Sequence, residues 1–177
     1  MPDTKFLDSE EITLRPVELE DSEFLRNTRI HKDVRDYMIG EPKPLNMKQQ
    51  REYIESLGSD DINLLIEHQG EKAGTIFLNN WNKIYKRCEF GIFLHPDFHG
   101  KGIGTKSLEI FLEYLFEELN MQKVSGGFLE GNTGSKRIME KNEFTKEGRK
   151  RQHKYVNGEW KDEIRMSLLK NEWRQQK

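Results

Sequence analysis

His95-Pro96-Asp97-Phe98-His99-Gly100-Lys101-Gly102-Ile103-Gly104-Thr105 divides two kinds of pattern in this 177-residue chain. Ahead of it, Arg87 to Leu94 reads as a strand. Behind it, from about Gly102, apolar residues fall at Leu108, Phe111, Leu112, Leu115, Phe116 and Leu119, one stripe along a helix. Three glycines at alternate positions therefore sit where a strand turns into a helix. Without Cβ atoms the backbone there can curl so that successive N–H groups point at one spot. The helix start adds unpaired N–H groups and the positive end of its dipole. The result is a cradle for an anion such as a pyrophosphate, to which Thr105 can add a hydroxyl. On spacing alone, a glycine-rich turn without a phosphate is an equal alternative. Two other phosphate motifs fail on detail. A Walker loop ends in Gly-Lys-Ser/Thr, but Lys101 is followed by Gly102. A dinucleotide fingerprint needs a glycine where Ser107 stands, inside an N-terminal βαβ unit.

Outward from this turn the pattern is a mixed α+β chain. Ile12 and Leu14 alternate with Thr13 and Arg15 in a short strand before Pro16. Asp21 or Ser22 caps a helix to about Arg29. Residues 30–45 read as a loop with a helical piece over Val34–Met38, and a second helix runs from Met47 to about Leu57. Strands over Ile62–Ile66, Ala73–Leu78 and Arg87–Leu94 follow at hairpin spacing, an antiparallel meander. After the long helix, Lys123–Leu129 forms a strand parallel to Arg87–Leu94, and Thr133–Lys141 a short helix. Asn157-Gly158 predicts a type I′ turn between strands over Phe144–Val156 and Trp160–Leu169. The expected fold is one domain over residues 1–177, a mixed, mostly antiparallel sheet flanked by helices. Residues 1–10 are polar and read as a loose end.

Hydrophobic and charged residues each make up 34% of the chain, yet the apolar ones cluster, so a core is expected rather than disorder. A net charge of -2 argues against a dedicated nucleic-acid binder. The single cysteine, Cys88, cannot form an internal disulfide. No segment approaches the roughly 20 apolar residues needed to cross a bilayer, and the N-terminus lacks the apolar run of a signal peptide. A cytoplasmic protein with no membrane partner is expected. The oligomeric state, a homodimer included, is left open. His95, Asp97 and His99 suggest a metal site only on residue type, because Pro96 rules out a helical histidine pair. No metal is expected.

The glycine loop with its surroundings resembles the GNAT (GCN5-related) N-acetyltransferase family, whose loop reads Gln/Arg-x-x-Gly-x-Gly/Ala. Here His99 stands at the Gln/Arg position, ahead of the matching glycines. Asn132-x-x-Ser135, then Glu140-Lys141-x-x-Phe144, is similar to the family's next motif. The ending Glu147-Gly148, Asn157-Gly158-x-x-Lys161-Asp162, Ser167-Leu168-Leu169 and Glu172-Trp173 resembles the RimJ/RimL-like branch, which acetylates protein N-terminal amines and has polyamine acetyltransferases as near relatives.

The resemblance implies a GNAT-like fold, acetyl-CoA as co-substrate, and direct attack by a primary amine in a ternary complex. It implies that the strand ending at Leu94 and the one starting near Lys123 splay apart. The pantetheine arm would pair with main chain near Ile92, Phe93 and Leu94, and Gly126 and Gly127 would allow close approach or mark a bulge. Cofactor contacts are expected from His99, Gly100, Lys101, Gly102, Ile103, Gly104, Thr105, Asn132, Ser135 and Lys141.

Acetyl transfer needs a base for the ammonium, a donor for the developing oxyanion and a proton for the departing thiolate. Glu89, amid apolar neighbours on its strand, is the base candidate, with a structural glutamate as the alternative; Glu67 is a weaker one. The family's acid is often a tyrosine at a position where Met139 stands here. Ser135, one turn earlier, takes that role or braces the helix, and Tyr155 could also reach in. Asn132 binds the pantetheine arm, caps the helix, or does both. Cys88 reads as core rather than nucleophile.

The acceptor stays open between a protein N-terminus, a polyamine, an amino sugar and an amino acid. A non-catalytic acyl-CoA-binding module is a rival reading. An RNA-binding domain using the basic run Lys146, Arg149, Lys150, Arg151, His153 and Lys154 is another. Glu18, Glu20 and Asp21 either draw a cationic amine or cap the first helix.

Overall fold

The computed structural model describes residues 5–177, which form an eight-stranded sheet with helices on both faces. The strands are β1 (Leu7–Asp8), β2 (Ile12–Pro16), β3 (Asn63–His68), β4 (Glu71–Asn82), β5 (Arg87–Leu94), β6 (Lys123–Leu129), β7 (Thr145–Val156) and β8 (Glu159–Leu169). Their order across the sheet is β1-β2-β3-β4-β5-β6-β8-β7. Every neighbouring pair is antiparallel except β5 and β6. The helices are α1 (Ser22–Ile30), α2 (Lys32–Arg35), α3 (Met47–Glu55), α4 (Ile103–Glu113, continued by a π-helical turn, Tyr114–Glu118), α5 (Thr133–Lys141) and α6 (Lys170–Gln175).

The parallel pair positions the site. Arg87, Cys88 and Glu89 pair with Lys123, Val124 and Ser125, and the ladder stops there. Beyond Glu89 the edge of β5 has no strand beside it, while β6 continues in register with β8 through Leu129 and Glu163. The splay expected from the sequence is therefore present, and no bulge accompanies Gly126 and Gly127. Those glycines are required by packing: a Cβ on Gly126 would lie 2.6 Å from the Phe90 ring and 2.8 Å from Met139 Cε.

The stripe on α4 does what its spacing predicts. Leu108, Phe111, Leu112, Leu115 and Phe116 are each at most 1% exposed and pack on Leu14, Ile66, Ile76 and Cys88. Each such side chain contributes about 1.5–3 kcal/mol on burial, so α4 is fixed along its length and its first turn is a rigid platform. The opposite face of the sheet holds a smaller core, Leu25, Ile54 and Leu65, under α1 and α3. Local signals also hold. Asn46 and Gln49 form a reciprocal capping box at α3. Asn157 and Gly158 have φ of 51° and 87°, as a type I′ turn demands.

Some boundaries differ. β4 runs on to Asn82, so the connection to β5 shrinks to residues 83–86. The helical piece near Val34 lies over Lys32–Arg35. Neither β1 nor α6 was expected. The loose N-terminus is shorter than its polarity suggests, because Leu7 and Asp8 pair with Leu14 and Thr13; residues 1–4 lie outside the described residues.

Candidate active site

A cavity of about 690 Å3 opens where β5 and β6 part. Its floor on one side is the β5–α4 turn. Gly100 and Gly102 have φ of 72° and 77°, and no atom lies within 4 Å of where a Cβ would be on either. An L side chain is strained in that conformation, and open space fronts both residues. The third glycine has another reason: a Cβ on Gly104 would meet Ile138 Cδ1 of α5 at 2.6 Å. Two glycines thus shape the turn, and one lets α4 and α5 close together. The amides of the first turn of α4 have no carbonyl partner within the helix; intrahelical bonding begins with Lys106 N–H donating to Gly102.

The sequence-predicted cofactor residues are largely brought together here. Ile92, Phe93, Leu94, His99, Gly100 and Gly102 line the cavity, as do Ile103, Gly104, Thr105, Asn132, Ser135 and Lys141. Lys101 does not; its ammonium lies 5.5 Å from the Phe98 ring centre. His99 braces the loop, its Nε2–H donating to the Leu94 carbonyl at 2.9 Å. Asn132 caps α5, its Oδ1 accepting from Ser135 N–H at 3.1 Å. Met139 is 3% exposed and packed on Gly126, so the position where the family often has a tyrosine belongs to the core here.

Glu89 lies on the opposite face from α4, level with the last parallel pair, and is not in the cavity wall. Its setting is not the apolar one expected. Its Oε1 meets Arg165 Nη2 at 2.6 Å, and Arg165 also binds Glu163 at 2.9 Å. Glu163, 1% exposed, further faces Lys150 at 3.1 Å and His153 at 3.0 Å. Burial pushes the Glu163 carboxyl up, but Arg165 and Lys150 outweigh it and hold it below the usual carboxylate range. No spacing marked this network, since on β8 Glu163 and Arg165 simply alternate with the apolar Ile164 and Met166.

Other candidates are placed elsewhere. Glu67 accepts from Arg15 at 2.9 Å. Asp21, fully buried, binds Arg15 and Lys72 at 2.8 and 2.7 Å, so it holds α1 to the sheet rather than facing an acceptor. Tyr155 is 56% exposed and stacks edge-on against Trp160. Burial pushes the Cys88 thiol up to about 12, in keeping with a core residue. The basic run is largely spent internally: Arg149 pairs with Asp162 and Glu130, and Lys154 donates to the carbonyls of Arg35 and Met38. That last tie, with Asn157 bonded to Asp36, fastens the β7–β8 hairpin to the loop after α2. Asp33, Tyr37, Met38 and Ile39 of that region join the cavity wall. Nothing in their spacing marked them.

Among the described residues no three His, Cys, Asp or Glu side chains are grouped to hold a metal ion. Nor is any helix among them long and apolar enough to cross a membrane.

Residues 11–145 match the model of the acetyltransferase (GNAT) domain. The chain is 31% identical over 179 residues to Bacillus subtilis YdaF, provisionally named a ribosomal N-acetyltransferase, covering 96% of this chain and 97% of that one. It is 27% identical over 163 residues to spermidine N(1)-acetyltransferase of Escherichia coli K12, covering 92% and 88%. The solved structure of Vibrio cholerae spermidine N-acetyltransferase with CoA and spermine shares its fold, with a TM-score of 0.85 at 24% identity over 94% of this chain and 99% of that one.

Proposed function

The chain belongs to the GNAT acetyltransferase family and is an acetyl-CoA-dependent N-acetyltransferase, and from that premise we propose how its residues divide the work on a primary amine. The observation that carries the reading is the β5–α4 turn: two left-handed glycines with open space before them, at the start of a buried helix, beside an unpaired strand edge. These features fit acetyl-CoA. The amides of Gly102 to Thr105 would take its pyrophosphate. The free edge of β5 over Ile92, Phe93 and Leu94 would take its amide-bearing arm as a strand takes a partner. Lys141, Asn132 and Thr105 stand along the same wall. When bound, the co-substrate supplies an activated acetyl thioester.

The amine would enter on the α1–α3 side. Its ammonium loses a proton toward Glu89, carried by water because Glu89 stands two residues from the wall residue Gly91. The main-chain N–H of Leu94, on the free edge of β5, would face the oxygen on which charge develops, since the alternation that sends His95 N–H to Ala73 turns Phe93 N–H toward β4. The bond from nitrogen to the acetyl carbon forms as the carbon–sulfur bond breaks. The Ser135 hydroxyl, on the cavity wall, hydrogen-bonds the departing sulfur. The reaction would run in the cytoplasm.

The acceptor is a protein N-terminus or a small amine. The provisional name of YdaF agrees with the RimJ/RimL-like resemblance, while the spermidine enzymes point to a polyamine. Thiol release from acetyl-CoA, measured against spermidine, amino sugars, amino acids and short peptides, decides among them. Binding without release on any amine would favour the non-catalytic module. Glu89→Gln is expected to lower turnover about 100-fold, the lower end for general-base catalysis, with acetyl-CoA affinity unchanged. Full turnover of Glu89→Gln at pH 7 would move the base elsewhere.

A further inference from the structure

A second cavity of about 120 Å3 lies under α1 and α3, on the acceptor face of the sheet. It adjoins the main cavity, with Met38, Phe77 and Phe93 lining both. Phe93 belongs to the stretch of β5 whose edge is free, so the pocket lies next to the stretch assigned above to the co-substrate's arm. Val17, Leu25 and Leu57 make its apolar wall.

One group breaks that wall. Gln50, on the inner face of α3, is 3% exposed and lines the pocket. Its Oε1 has no hydrogen-bond partner among the described residues. A buried carbonyl oxygen left unpaired is costly, and native structures usually satisfy it. The other polar side chains of the wall are differently placed: the Tyr53 hydroxyl donates to Asn63 Oδ1 at 3.2 Å, the Thr75 hydroxyl donates to the Leu64 carbonyl at 2.9 Å, and Arg29 brings a positive charge. The pocket thus offers one unmet acceptor in an apolar setting, next to a cation.

We infer that this pocket receives the side chain of the acceptor's first residue, and that the acceptor is the α-amine of a peptide beginning with a short, uncharged residue that donates a hydrogen bond to Gln50 Oε1, such as threonine or asparagine. The inference rests on the acetyl-transfer reading and narrows it. At roughly 30 Å3 per water-sized volume, the space holds about four heavy atoms. The apolar wall suits a methyl or methylene, and Oε1 takes an O–H or N–H. A second ammonium, as on the aminobutyl arm of spermidine, would have to sit in an apolar pocket beside Arg29, which disfavours it.

The test compares kcat/KM for hexapeptides identical except for an N-terminal Thr, Val, Asn, Leu or Lys, with spermidine alongside. Thr and Val have the same shape and differ in the hydroxyl. The wild-type chain is expected to prefer the Thr peptide over the Val peptide by at least tenfold, and to prefer both over the Lys peptide and spermidine. In Gln50→Met the Thr preference should disappear, with the Val peptide used at least as well. Equal use of Thr and Val peptides by the wild-type chain would overturn the assignment, as would a preference for spermidine. Either result needs only the wild-type chain, so a Gln50→Met chain that fails to fold does not protect the idea. A Thr preference that survives in folded Gln50→Met would also sink it. Acetyl-CoA binding with no release on any acceptor would instead strike the acetyl-transfer reading, and the pocket's assignment with it.

Discussion

At its cofactor end the cavity is lined by residues of two glycine-rich turns, among them Gly100, Gly102 and Gly104 on one and Gly131, Asn132 and Gly134 on the other. At its acceptor end it is walled by side chains from the loop after α2, from β4 and from β5, and is backed by α1, α3 and the β7–β8 hairpin. The first end depends on backbone angles that only glycine adopts cheaply and on the buried stripe of α4. The second depends on ion pairs and hydrogen bonds between distant segments: Arg15 with Asp21 and Glu67, Arg165 with Glu89 and Glu163, Asn157 with Asp36. One end has to fit a constant ligand, and main chain does that without regard to side-chain identity. The other has to choose among amines, and side chains make that choice adjustable. The difference predicts that the two ends can be damaged separately.

The largest effect is expected at Asp21, which ties α1 and Lys72 to the sheet beneath the acceptor face. Removing one partner of a buried ion pair costs roughly 3–5 kcal/mol. Because Arg15 keeps Glu67, Asp21→Asn should fall near the lower end, about 3 kcal/mol in urea unfolding. The effect should also depend on pH in a set direction. Burial pushes the Asp21 carboxyl up, but Arg15, Lys72 and the Glu18 N–H outweigh it and hold it below its ordinary value. A depressed carboxylate adds stability above the unfolded-state value and loses it as pH falls. The gap between wild type and Asp21→Asn should therefore be full at pH 7 and shrink below about pH 4. A constant gap would mean that the charge of Asp21 is not what matters. Acetyl-CoA affinity of the folded variant should stay near wild type; a joint loss would deny that the ends are independent.

Gly102→Asp attacks the other end. It puts a side chain on a residue with φ of 77° and a negative charge before the amides assigned to the pyrophosphate. Acetyl-CoA affinity should drop about 100-fold, or about 2.7 kcal/mol, in equilibrium binding. Because space is open there, the fold should bear the change with a loss of only about 1–3 kcal/mol from backbone strain. Unchanged affinity in a folded chain would displace the cradle.

The same contrast explains what could be read without coordinates. The glycines of residues 100–104, the stripe of α4 and the Asn157-Gly158 turn are local signals, each tied to one conformation. They were enough for the fold and for gathering most of the residues that line the main cavity. Lys101 stands outside the cavity wall, and spacing cannot say which residue of a turn faces inward. The acceptor wall was hardly legible. Glu163 and Arg165 merely alternate with apolar residues until the sheet order sets Lys150 and His153 of β7 and, across β6, Glu89 of β5 beside them, and Gln50 looks like any exposed glutamine on a helix. Their meaning comes from register and docking between segments far apart in sequence, such as Arg149 opposite Ile164 or Lys154 against Met38. Glu89 shows the limit most clearly: its strand neighbours are apolar, yet its partner is an arginine from β8.

The smallest effect is expected at Ser135, on the cofactor side of the cavity. Its N–H is engaged by Asn132 as the helix cap, so the backbone of α5 is held whatever the side chain. Met139, the other candidate position on that side of α5, is packed into the core and has no proton to give. Ser135→Ala should leave both α5 and acetyl-CoA affinity intact and lower turnover about tenfold, the worth of one hydrogen bond to a charged atom. A thiolate left without its donor is a poor leaving group only when the sulfur needs help. The loss should therefore be large with acetyl-CoA and small with an acyl donor whose thiol is more acidic. If both donors are slowed equally, Ser135 shapes the wall and does not assist the sulfur. If neither is slowed, the departing thiolate takes its proton from water at the open mouth, and Asn132 alone accounts for the motif.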